Sequence, residues 1–137
     1  MNRLFTPTAT RTAADIATAG FGITMLLQLL LAAGILPSTM AWGGTQPVLT
    51  TALRITSLVA VVVLGVFAYV IRRRAGLAGR GPVPVWVKVL AWVITLYLAV
   101  NTLGNFASPS AVERAVFGPI SLILTAACLL VSLSRTA

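Results

Sequence analysis

Apolar residues run through this chain in four long, nearly unbroken stretches, and polar residues collect between them. Residues 16–36, 48–71, 83–106 and 111–133 are each long enough, as helices rising about 1.5 Å per residue, to cross a hydrocarbon core roughly 30 Å thick. The stretch 55–71 is valine-rich, and β-branched residues are poor helix formers in water. A barrel strand, however, alternates apolar and polar positions over about 10 residues, and these runs are continuous. The pattern therefore predicts an all-α membrane protein: a four-transmembrane-helix, up-down-up-down bundle forming a single integral membrane domain over residues 1–137.

The segments between the spans set the expected boundaries. Residues 1–14 (MNRLFTPTATRTAA) are polar and threonine-rich, and the first apolar stretch begins too late for a cleavable signal peptide, so the first span is expected to remain as an anchor. Pro37 should end it. The loop 37–47 (PSTMAWGGTQP) is uncharged, with Gly43-Gly44 as a flexible turn, Trp42 suited to the membrane interface, and Pro47 tolerated as a first helical residue. Residues 108–112 allow only a tight reversal, so the third and fourth spans should be antiparallel neighbours. Gly118-Pro119 should kink the fourth helix. Two rows of small residues, Ala14–Thr18–Gly22 and Ala91–Thr95–Ala99, suit close helix approach.

Composition identifies the solvent. The chain is 58% hydrophobic and 9% charged, against about 25% charged in soluble domains. Ten basic residues against two acidic ones give a net charge of +8. A nucleic-acid partner is not expected, because the bases bracket apolar runs instead of interleaving with polar and aromatic residues on a soluble face. They follow the positive-inside pattern instead. Arg3, Arg11, Arg72, Arg73, Arg74, Arg80, Lys88 and Arg135 fall on one side, and only Arg54 and Arg114 on the other. A multi-pass protein of the plasma membrane with both termini and the basic loop 72–82 in the cytoplasm satisfies this bias. Beyond the bilayer itself, anionic lipid headgroups near Arg72, Arg73, Arg74 and Arg80 are expected partners, at about 1 kcal/mol per base close to the surface.

The chemistry on offer is sparse. There is no histidine, and Cys128 is the lone cysteine, so no disulfide, thiol metal pair or other cofactor site is expected. No nucleophile–base constellation is visible, and the chain is read as non-enzymatic. Polar groups concentrate in residues 97–114 (YLAVNTLGNFASPSAVER), where Tyr97, Asn101 and Asn105 share one helical face. With the topology above, the outer ends of the spans bring Gln28, Arg54, Tyr97, Asn101, Asn105, Glu113 and Arg114 into a candidate cluster. Polar groups in lipid are costly unless they face one another, so the sharper expectation is an outward-facing pocket in which Arg54 pairs with Glu113 and the two asparagines offer amide hydrogen bonds.

Most of these residues also have a structural explanation. Arg54 lies near enough to a helix end to reach the headgroups. Ser110 and Glu113 match a capping box. Gln28, Asn101 and Asn105 suit interhelical bonds averaging about 0.6 kcal/mol. The leading functional expectation is accordingly a small structural or accessory component that packs helix faces, as a homo-oligomer or with another membrane protein. The alternative is a protein that binds or transports a small solute or lipid through the outward-facing cluster. An outer cavity filled by packed side chains would count against this alternative.

Overall fold

The structure is a computed structural model and describes residues 5–135. Arg3, counted above on the cytoplasmic side, lies outside them. Four long helices dominate: α1 (Pro7–Ala32), α2 (Thr51–Arg74), α3 (Val85–Ala107) and α4 (Gly118–Leu133), the last entered through a π-helical turn over Glu113–Phe117. Counting that turn with α4, all four are long and apolar enough to cross a membrane. No strand occurs among the described residues.

Local hydrogen bonding moves the ends of these helices away from the apolar limits. α1 begins well before residue 16, because Thr6 caps it by accepting the N–H of Ala9 (3.1 Å) and Pro7 is pre-set for the first helical position. It also ends early. Gly34 adopts a left-handed φ of 77°, and the Ile35 N–H turns back to the Leu30 carbonyl (3.0 Å), four residues' worth of backbone ahead of the expected stop at Pro37. Thr50, rather than Pro47, starts α2, its hydroxyl accepting the Leu53 N–H (3.2 Å). α2 then runs through Arg72–Arg74, which places three cations at the negative end of the helix dipole.

The contiguous apolar core occupies one half of the bundle. Ala13, Ala14, Ala17 and Phe21 of α1 close on Val70 and Ile71 of α2, Val87, Ala91, Ile94 and Leu98 of α3, and Leu124, Ala127, Cys128 and Val131 of α4. All of these lie toward the end of the bundle that carries the loop 75–84. Outward-facing residues such as Val62, Val100 and Leu103 remain about two-thirds exposed; a helix bundle with this much bare aliphatic surface is covered by something apolar. On α1 and α2, Asp15 meets Arg72 (2.9 Å), Phe21 meets Phe67, and Met25 lies against Gly65, so numbers rise on one helix as they fall on the other. α3 and α4 are joined the same way by three polar contacts: Thr95 with Ser132 (3.1 Å), Thr102 with Thr125 (3.1 Å) and Asn105 with Ser121 (3.2 Å).

The small-residue rows are used unequally. Ala91 and Thr95 are buried on α3, but Gly22 of the α1 row is exposed and a Cβ there would touch nothing. The close approach is at Gly20 instead, where a Cβ would sit 2.7 Å from Leu124 of α4. The basic loop is also more structural than its charge suggests. Arg73 is buried and donates to the carbonyls of Arg80 (3.0 Å) and Pro82 (2.9 Å), and Arg74 caps the end of α4 through the carbonyls of Ser132 and Ser134. Arg80 is exposed. The break expected at Gly118-Pro119 takes the form of the π turn, in which the Gly118 N–H reaches back to the Glu113 carbonyl. Widening the helix by one residue lets it pass the proline that follows.

Candidate functional site

The opposite half of the bundle holds a cavity of about 400 Å³. It exists because α2 packs on α1, α3 packs on α4, and α2 touches α3 only sparsely. Their meeting point is Phe67 with Tyr97, edge-to-face at 5.7 Å, and Phe21 stacks in the same manner behind Phe67 at 6.0 Å. Phe67 and Tyr97, together with Leu98 and Leu124, form the floor. Beyond this level α2 contributes Leu64 and the shorter side chains of Thr56, Val59, Ala60 and Val63 to the cavity. The back wall comes from α1 (Thr24, Gln28) and from the π turn and α4 (Glu113, Phe117, Ile120, Ser121), all half-buried or buried. The exposed lining residues, Thr56, Val59, Val63, Tyr97 and Asn101, all belong to α2 and α3. The mouth therefore faces sideways, between those two helices.

The loop between α1 and α2 forms a roof. Its 3-10 turns, Ser38–Met40 and Trp42–Gly44, are drawn together by the Ser38 hydroxyl, which donates to the Gln46 carbonyl (2.6 Å). Trp42, Gly43 and Gly44 are all left-handed, with φ of 59°, 75° and 70°. For tryptophan this conformation costs about 1–2 kcal/mol. It turns the Gly43 N–H onto Glu113 Oε1 (3.0 Å) and lays Gly44 against Ser110, where a Cβ would come within 3.0 Å. Trp42 lines the cavity, and its indole N–H is buried with no hydrogen-bond partner among the described residues.

The seven residues expected as a cluster separate into three groups. Gln28 and Asn101 line the cavity with unused capacity: Gln28 Oε1 is buried without a partner, and the Asn101 amide has none among the described residues. Tyr97, Asn105 and Glu113 also line it, but are engaged. The Tyr97 ring rests on Phe67, and Asn105 Nδ2 donates to the Phe117 carbonyl (3.3 Å) and to Ser121 Oγ (3.2 Å). Besides Gly43, Glu113 accepts the Ser108 hydroxyl through Oε2. Arg54 and Arg114 lie outside the cavity.

The Arg54–Glu113 pair does not form; the one ion pair among the described residues joins Asp15 to Arg72. Glu113 is occupied by neutral donors, while Arg54 is exposed in the first turn of α2, beside Gly34. Arg114 turns away to the Ser108 carbonyl (2.6 Å). The capping box is only half made. Ser110 Oγ accepts the Glu113 N–H (3.3 Å), but the Ser110 N–H goes to Ser108 Oγ (3.1 Å), which frees the Glu113 side chain to hold the roof. Sequence reasoning placed Trp42 at the interface and overlooked Ser121. For Ser121 a signal existed, since Glu113, Phe117 and Ser121 recur every four residues on one face. No protein family, curated protein or solved structure matches the chain.

Proposed function

We propose that this chain is a small, non-enzymatic multi-pass membrane protein that binds one small solute or lipid-like molecule in its outer half, admitted sideways between α2 and α3. The carrying observation is that Gln28 Oε1 and the Trp42 indole N–H line one cavity, both buried and both unpartnered. A buried polar group left unpaired costs about 1–3 kcal/mol. Ser57 Oγ and Arg74 Nη1 are also unpartnered among the described residues, but only Gln28 and Trp42 face one open volume. The volume of about 400 Å³ falls within the range of about 300–1,000 Å³ typical of small-molecule sites.

The helix contacts support an up-down-up-down order, and the base count supports a plasma-membrane orientation with both termini and the loop 72–82 in the cytoplasm. The cavity then opens in the outer leaflet, and the exposed bases Arg11, Arg80, Lys88 and Arg135 meet anionic headgroups at the other surface. The accessory reading keeps one observation in its favour. A groove of about 440 Å³ between α1 and α4, lined by small residues including Ala9, Ala13, Ala126 and Ala127, suits a helix of a second copy.

Native mass spectrometry from a mild detergent separates the two. The binding reading expects a small adduct on the wild-type protein that is diminished in Asn101→Leu. A ligand-free assembly of defined size would return the protein to the accessory class.

A further inference from the structure

We infer that the ligand is an uncharged amphiphile whose head both donates and accepts hydrogen bonds, of the chemistry of a monoacylglycerol. The inference rests on the binding reading above and names its ligand class. The first argument is hydrogen-bond valence. Gln28 Oε1 lacks a donor, the Trp42 indole N–H lacks an acceptor, and both are buried on the cavity wall. The Asn101 amide, unpartnered among the described residues, offers one of each at the mouth. A hydroxyl answers both needs, since it donates one hydrogen bond and accepts others.

The second argument is charge. Glu113 is the one ionisable carboxylate on the wall, and no lysine or arginine lines it. A phosphate or carboxylate head would face that charge in a medium of low dielectric with no compensating cation. A primary ammonium carries donors only, so it leaves the Trp42 N–H unpaired. It would also compete for a carboxylate that already accepts from Gly43 and Ser108.

The third argument is placement. Below the polar groups lies the apolar floor of Phe67, Leu98 and Leu124, and the mouth is rimmed by exposed Val59 and Val63 of α2. A head seated near Gln28 and Trp42 thus leaves its alkyl chain to run over apolar surface and out through the gap between α2 and α3.

The chain has three tryptophans, and Trp86 and Trp92 are exposed on α3, away from the cavity. In the Trp86→Phe/Trp92→Phe variant, Trp42 emission reports on the site alone. This protein, in nanodiscs, is titrated with 1-monooleoylglycerol, with oleate and with oleylammonium. A saturable change with monooleoylglycerol is expected, with at least tenfold weaker responses to both charged probes. Gln28→Leu should weaken monooleoylglycerol binding about tenfold, and Asn101→Leu, which removes no internal bond, should weaken it several-fold at an unchanged melting temperature. Equal or tighter binding of oleate or oleylammonium overturns the head-group inference and leaves the binding reading standing. So does wild-type affinity in both leucine variants. A flat response to all three probes overturns both.

Discussion

Glu113 is the pin of the roof, and removing it should open the loop without unfolding the bundle. Its carboxylate accepts the Gly43 N–H at 3.0 Å through one oxygen and the Ser108 hydroxyl through the other. Hydrogen bonds to a charged group contribute about 1.5–3 kcal/mol each. Only the Gly43 bond crosses from the roof to Glu113, since Ser108 belongs to the same side as the π turn. Glu113→Ala therefore releases about 1.5–3 kcal/mol, and at 1.4 kcal/mol per factor of ten this raises the open population about 10- to 100-fold. Glu113→Gln keeps one oxygen for Gly43 and exchanges charge-assisted bonds for neutral ones, a loss of about 1 kcal/mol, or less than tenfold. Hydrogen–deuterium exchange of the Gly43 amide, followed by mass spectrometry in detergent, measures this directly. Exchange faster by about one to two orders of magnitude in Glu113→Ala, with a smaller effect in Glu113→Gln, is expected. Unchanged protection in Glu113→Ala refutes the reasoning. The roof would then be held by its internal Ser38–Gln46 bond and by the packing of Trp42, with no need of a latch to the π turn.

Other substitutions separate structural polar groups from free ones. Asn105→Leu removes the bonds to Phe117 and Ser121 and should cost about 1–2 kcal/mol by thermal unfolding in detergent, whereas Asn101→Leu should leave the melting temperature unchanged. Gly118→Ala places a Cβ 2.8 Å from the Phe106 ring and should destabilise by about 1 kcal/mol, the overpacking outweighing the helix propensity gained. Gly22→Ala, in open space, should be neutral or stabilising in the same assay. Asp15→Asn breaks the ion pair with Arg72, whose side chains are 65% and 34% exposed. Solvent screening should hold the loss below about 1 kcal/mol, read from the midpoint of denaturant unfolding.

What the sequence reveals depends on how far apart the interacting residues lie. The four spans are visible because lipid demands continuous apolar length, and a span carries that information within itself. The helix ends are partly visible: Thr6-Pro7 and Thr50 are ordinary start signals, overlooked because the apolar boundary was given more weight than the cap. The latch is not visible at all. Glu113 and Gly43 are 70 positions apart, and nothing near Glu113 indicates that a left-handed tryptophan–glycine turn will offer it an N–H. The same holds for the bases. Arg72, Arg73 and Arg74 look alike as a run, yet one pairs with α1, one holds its own loop and one caps α4. Only the fold assigns those partners.

The polar residues of the outer half follow one economy, and the candidate site is what that economy leaves over. Asn105 is used at the π turn, where its amide donates to the Phe117 carbonyl and to Ser121 Oγ. Glu113 is used by the roof, and Thr24 and Thr56 return their hydroxyls to the carbonyls of Gly20 and Ala52 within their own helices. Had the same held for Gln28, Asn101 and Trp42, the cluster would be glue. Instead these three, drawn from α1, α3 and the roof, stand unpaired around one open volume. No single helix gains from this arrangement, and each buried orphan costs the fold free energy. On the proposed binding reading, a molecule that enters between α2 and α3 and meets these groups recovers that cost.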